Sequence, residues 1–437
     1  MQAKMLQRTA IYLLFLSTVF AVNRPPKIYM QPTDREIYYK PGESVEILCI
    51  ANGIPKPEYI WRRNGVVYNP SGQGDRVVQL PNQGTIVFNK PEDKDEGIFQ
   101  CFADNGYGIS ASVKINLREA KLKKFADEPS QTHIVFAGED LTLPCYPPQS
   151  YPPADVYWVI KEPDGRRQDV NFDKRVSMDI EGRLRFTNVL GSDMVGGRAY
   201  SCMAVNYFMR DSAIGPEHVV TVFGSTERKL PATELWTSPR YQFFLKGGTL
   251  RLKCIFAGNP TPEVHWKKLE GKFPDRAKFK SFGQELQITD VRESDAGQYE
   301  CMGLNSESTQ RATKVFDVRI KAAPFWVEEP QDVEASINQT ATFICKADGD
   351  PKPNYAWYIN GVPLEDRQNK PRIYNNRFYK KDANNITLTN LTLEDHMNIQ
   401  CNASNQHGYI FSDVYLNVLD WDISSMQIPD KKKIRVA

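Results

Sequence analysis

Histidine is scarce: there are five in 437 residues, and no two are spaced as metal ligands on a helix. An excess of charge of one sign is also missing. Lysine plus arginine number 55 against 53 aspartates and glutamates, a net charge of +2. That leaves no basic face of the strength nucleic-acid binding requires. No Gly-x-Ser-x-Gly, His-Glu-x-x-His or phosphate-binding glycine loop occurs, so catalysis has no candidate residue. The expectation is a protein that is not an enzyme and needs no metal or cofactor. After the N-terminus, nothing approaches the roughly 18 consecutive apolar residues of a membrane span.

What is present is ordinary in bulk, with 41% apolar and 25% charged residues, as in soluble globular proteins. The length suits several domains. Residues 1–22 read as a signal peptide. Lys4 and Arg8 give a basic start, Ile11 to Phe20 an apolar core, and Val19-Phe20-Ala21 resembles a small-residue cleavage site. The apolar run is short for a span, which disfavours an anchor. Export to an oxidising compartment makes disulfides the natural reading of eight cysteines.

The cysteines fall into consecutive pairs, Cys49/Cys101, Cys145/Cys202, Cys254/Cys301 and Cys345/Cys401. A tryptophan follows each first member at nearly constant distance: Trp61, Trp158, Trp266 and Trp357. Before each second member stands one motif, "DEGIFQC" (95–101), "DAGQYEC" (295–301) and "DHMNIQC" (395–401), stretched in the second copy to "DMVGGRAYSC" (193–202). Seven residues before each Asp an apolar alternation closes: Ile86/Phe88, Leu184/Phe186, Leu286/Ile288 and Ile386/Leu388. Period two in Val45-Ile47-Cys49 and Leu250-Leu252-Cys254 puts these cysteines on the buried face of a strand. Zinc ligation fails on spacing, because no Cys-x₂₋₄-Cys pair exists.

Cys-Trp-Cys at this spacing marks an immunoglobulin sandwich. The fold class is therefore all-β: four tandem immunoglobulin-like sandwiches of I-set type, each stapled by one bridge worth on the order of 4 kcal/mol. Tyr200 and Tyr299 occupy the tyrosine-corner position. Phe99 and Ile399 replace that tyrosine in the first and fourth copies and lose its hydrogen bond. Pro144, beside Cys145, has no N–H for a ladder and is expected at an edge or bulge.

The domains are placed at 26–119, 120–225, 236–320 and 323–419, with a linker over 226–235 and a tail over 420–437. "RIKAAPFWVEEP" (319–330) reads as a stiff elbow, where Trp326 packs at the joint or covers its own domain. "GSTERKLPATELWTSP" (224–239) is polar and long enough for the chain to reverse direction.

Several stretches then become recognisable. "NRPPKIYMQP" (23–32), "DKRVS" with "RFTNVLGSDM" (173–177, 185–194), "IKAAPFWVEEP" (320–330) and "CNASNQHGYI" (401–410) closely resemble the neuroglian/neurofascin family of neural cell-adhesion molecules. The match runs in order over about 23–419, and a more distant likeness is to the secreted hemolin-type immune proteins. The resemblance implies a horseshoe, with domain 1 against 4 and 2 against 3. It implies an extracellular protein that adheres homophilically or binds related receptors, in a family involved in axon guidance and neurite growth. Two alternatives stay open: a secreted protein binding microbial surfaces, and a soluble decoy of a longer receptor. Residues 420–437 do not resemble the start of a fifth domain, which points to a secreted form, or to the cell surface if the chain is part of a longer anchored protein.

Four sequons occur, Asn338, Asn385, Asn390 and Asn402, all in the fourth domain. The strand register points Asn385 and Asn402 outward, so domain 1 is expected to dock on a glycan-free edge. Arg76–Asp95 and Arg175–Asp193 are read as ion pairs at the sandwich base, with Arg276 and Arg377 in equivalent places. The basic runs "KLKK" (121–124) and "KKKIR" (431–435) are candidates for glycosaminoglycan, or simply solvated charge.

Overall fold

A computed structural model describes residues 23–420, apart from 195, 226–227, 366–378 and 383. The signal segment, Arg377 and the tail run 431–435 lie outside the described residues. Each cysteine pair sits in its own two-sheet sandwich, and four separate apolar clusters form the four cores. In the first domain one sheet is ordered Glu36–Tyr39, Ile115–Glu119, Gly97–Asp104, Glu58–Arg63, Val66–Tyr68. The facing sheet holds Val45–Ile47, Ile86–Phe88 and Val77–Gln79. Alternation explains the packing: Ile47, Cys49, Ile86 and Phe88 are fully buried, and Glu46, next to Ile47, is exposed.

The bridges are Cys49–Cys101, Cys145–Cys202, Cys254–Cys301 and Cys345–Cys401. Each core tryptophan lies directly opposite the second cysteine: Trp61 by Cys101, Trp158 by Cys202, Trp266 by Cys301 and Trp357 by Cys401. Indole N–H groups need a partner when buried. Trp61 donates to the Gly84 carbonyl at 2.7 Å, Trp158 to Gly182 at 2.7 Å and Trp266 to Gly283 at 2.8 Å. Trp266 is only half-buried.

The recurring Asp closes a turn. Asp95, Asp193, Asp295 and Asp395 each accept the backbone N–H three residues earlier, at 2.8, 2.7, 2.8 and 2.6 Å. The first three also hold Arg76, Arg175 and Arg276. Tyr200 and Tyr299 donate their hydroxyls to the Asp193 and Asp295 carbonyls at 3.1 and 2.7 Å. Phe99 instead packs edge-on against Trp61, Tyr68 and Phe88. Pro144 stands at the end of an edge strand rather than inside it. The strand Leu141–Leu143 ends just before it, so no ladder bond is asked of its nitrogen.

Two joints differ from the expected boundaries. The stretch read as a linker, 226–235, is largely strand. Leu230–Thr237 pairs antiparallel with Thr249–Asn259, so domain 3 begins near residue 230. Its polar residues face outward while Ala232 is buried, and one buried alanine leaves little apolar pattern to read. At the other joint, Ala312–Glu328 is one continuous strand. It pairs with Gly297–Leu304 in domain 3 and then with Lys346–Asp350 in domain 4. Trp326 packs against the core of its own domain.

An asparagine four residues after each second cysteine fixes how the domains begin. Asn105 donates to the carbonyls of Arg24 and Pro55 at 2.7 and 3.0 Å. Asn305 donates to Leu230 and Pro260, and Asn405 to Ala322 and Pro351, all at 2.8 Å. Asn206 reaches Ser150 and Pro152. Each of the first three therefore ties a first strand to the loop after the first cysteine.

Candidate functional site

The reversal after domain 2 brings domain 1 onto domain 4 and domain 3 onto domain 2. In domain 4 the strand Met397–Asn405 alternates Ile399 and Cys401, which face its own core, with Asn398 and Gln400. An outward amide would ordinarily be solvated. Here Asn398 and Gln400 are fully buried, because domain 1 covers them.

The contact works by satisfying backbone groups, which burial demands. Asn398 donates its side-chain amide to the Pro26 carbonyl at 3.0 Å, and Gln400 to the Ala111 carbonyl at 2.8 Å. Asn360 accepts from the backbone N–H of Ile109 at 3.1 Å and of Asn398 at 2.9 Å. The Asp413 carboxylate accepts from the Ile28 N–H at 3.2 Å, from the Ser110 hydroxyl and from the Asn398 amide. Burial pushes the Asp413 carboxyl up to about 6, and the donors of Ser110, Asn398 and Ile28, with Lys27 nearby, oppose that rise.

Apolar and charged contacts frame this polar centre. Phe411 packs against the core of domain 1. The Arg35 guanidinium lies 3.5 Å over the Tyr409 ring, and Tyr107 meets His396 edge-on. Lys27–Asp332 and Arg24–Glu334 pair at 3.3 and 3.5 Å on the rim. Two glycines permit the approach. A Cβ on Gly108 would stand 3.0 Å from the Asn398 nitrogen, and one on Gly361 would stand 3.0 Å from the Phe102 ring.

Domains 2 and 3 meet in the same manner. Asn188 donates to the Gly258 carbonyl at 2.6 Å and to Thr261, and the Gly258 N–H returns a bond to the Thr187 carbonyl at 3.0 Å. Gln284 donates to the Lys174 carbonyl at 3.0 Å, and the buried Lys253 ammonium to the Met178 carbonyl. Burial holds the Lys253 amine below its ordinary value, against the pull of Glu285 and Asp179. Arg228–Glu139 closes the edge at 2.9 Å.

The sequons separate into two kinds. Asn338 and Asn390 are exposed turn residues. Asn385 is half-buried in the strand Asn385–Leu388. Asn402 stands on the sheet face that receives domain 1, so the docking face itself carries a sequon. The register placed Asn402 outward, but outward on this sheet means toward domain 1. In the basic run 121–124, Lys121 pairs with Glu119 at 2.7 Å, and Lys123 and Lys124 are exposed.

None of the interface residues Asn398, Gln400, Asn360 and Asp413 stood out in the sequence. One signal was available: the neutral Gln400 occupies an outward position of the motif strand in domain 4, where domain 3 has the charged Glu300. Among the described residues no cluster of three or more His, Cys, Asp or Glu could hold a metal, and no helix is long and apolar enough to cross a membrane.

Comparison with known proteins accords with this architecture. The immunoglobulin domain model matches residues 25–105, 234–305 and 324–405. Neuroglian of Drosophila melanogaster is 32% identical over 411 residues, covering 91% of this chain and 31% of its own length. Neurofascin of Gallus gallus is 31% identical over 423 residues, covering 91% and 30%. The chain thus spans about a third of the length of these relatives. Among solved structures, the insect immune protein hemolin superimposes with a TM-score of 0.73 at 22% identity, over 91% of this chain and 100% of its own. Immunoglobulin domains 1–4 of Sidekick-1 give 0.69 at 24% identity, over 91% and 99%. The chain belongs to the immunoglobulin domain family, and its homologues along nearly its whole described length are the neural cell-adhesion molecules neuroglian, neurofascin and L1.

Proposed function

We propose that the chain is an extracellular adhesion and recognition module that binds a second copy of itself, or a related receptor, through its folded-back immunoglobulin domains. The observation that supports this reading is the homology to neural adhesion molecules across all four domains, which together form one closed unit. Hydrogen bonds fasten that unit at both interdomain contacts, so its outer surface is presented pre-organised and loses little entropy on binding. Glycosaminoglycan is a secondary proposal resting on Lys123 and Lys124.

Bead aggregation tests the main reading. Beads carrying the secreted chain should clump, and excess soluble chain should prevent it. A folded, closed chain that leaves beads dispersed would rule out self-recognition by these domains and turn the search to other receptors or microbial surfaces.

A further inference from the structure

The outward residues of the strand Met397–Asn405 run Asn398, Gln400, Asn402, Ser404. Asn402 pairs in register with Phe411 on one side and Ala356 on the other. One row away, Gln400 and Asp413 hold Ala111, Ile28 and Ser110 of domain 1. One row in the other direction, Tyr409, opposite Ser404, carries the Arg35 guanidinium. Phe411 itself packs against the core of domain 1. Domain 1 therefore brackets Asn402 along the strand, and Asn402 is partly buried.

Asn402-Ala403-Ser404 is a sequon. Rows on one face of a strand are about 7 Å apart, and a branched glycan is bulkier than that gap. We infer that this sequon gates closure: a glycan on Asn402 and domain 1 on domain 4 exclude one another. Glycosylated chains are open and unmodified chains are closed. The donor is a lipid-pyrophosphate-linked oligosaccharide of the secretory pathway. The Asn402 amide nitrogen bonds to C1 of its first sugar and loses a proton, and the lipid pyrophosphate leaves with the electron pair of the broken C1–O bond. Transfer precedes pairing of this strand, which is central in its sheet. The fate of each molecule is set before it folds. This proposal concerns closure and does not depend on what the closed molecule binds.

The test is to secrete the chain from eukaryotic cells and separate compact from extended molecules by size exclusion with X-ray scattering. Each fraction is then mapped by glycopeptide mass spectrometry. Asn402 should be unmodified in the compact fraction and modified in the extended one, with Asn338 and Asn390 alike in both. Ser404→Ala, which removes the sequon and keeps Asn402, should shift extended molecules to compact, and Asn402→Gln should do the same. Equal Asn402 modification in both fractions, no modification in any chain, or an extended population unmoved by both variants would overturn the proposal.

Discussion

Asn398 in domain 4 donates its side-chain amide to the carbonyl of Pro26 in domain 1, 3.0 Å away and 372 residues distant in sequence. With Gln400 and Asp413 it replaces the water that the first strand and the Ile109–Ala111 strand would otherwise bind. The closed form depends on such exchanges of solvent for amide groups.

Removing them should open the molecule. Asn398→Ala combined with Gln400→Ala leaves the Pro26 and Ala111 carbonyls buried without donors, at a cost of about 1–3 kcal/mol each. Small-angle scattering should report a larger radius of gyration, while the melting of the individual sandwiches stays close to that of the parent. An unchanged radius would show that the apolar contacts suffice.

Closure should depend on pH through Asp413. In the closed form its carboxyl is pushed up to about 6, from an ordinary value near 3.8. The closed form therefore holds the proton more tightly. Its advantage is full below about pH 4 and is lost as pH rises to about 6, by roughly 1–3 kcal/mol. His396, held below its ordinary value by burial, acts in the opposite direction on acidification. Scattering between pH 4 and 7 should show stronger closure at the acid end, and Asp413→Asn should remove that component while leaving the opposing one.

Domain 2 should weaken in acid for a separate reason. His218 is buried beside Trp158 and His133, and burial, reinforced by His133, pushes it down to about 4 from 6.5. The folded state resists protonation, so its stability is full above about pH 6.5 and declines as pH falls toward 4. Calorimetry at pH 7 and pH 5 should show the domain 2 transition moving down. His218→Gln should flatten the dependence.

The buried ion pair of domain 2 offers a test at neutral pH. Arg175 holds Asp193 at 2.6 and 3.0 Å, with Asp193 almost fully buried. Arg175→Met removes the guanidinium from that carboxylate and leaves it the Leu190 N–H among the described residues, and domain 2 should lose about 3 kcal/mol. Chemical denaturation gives the value, and a loss below about 1 kcal/mol would mark the pair as ordinary surface charge.

Much of the architecture is local and periodic, and so it is legible in the chain. Cys, Trp and the turn Asp recur because each sandwich must bridge its sheets, pack against the bridge and close the turn into the motif strand. Asn105, Asn305 and Asn405 recur because each ties a first strand to the loop after the first cysteine. The first strand of domain 3 reads as a linker because Ala232 is its one buried residue and its other apolar residues do not alternate. The docking face is different in kind. Asn398, Gln400 and Asp413 look like any solvated outward residues, because alternation along a strand tells inside from outside and nothing more. Whether an outward residue meets water or another domain is settled by how the chain reverses, hundreds of residues away. The sequence by itself determined the four sandwiches and their bridges, since these depend on neighbours along the strand. Only the tertiary structure decided that amides and one carboxylate close the molecule, and that Asn402 lies on the face domain 1 covers.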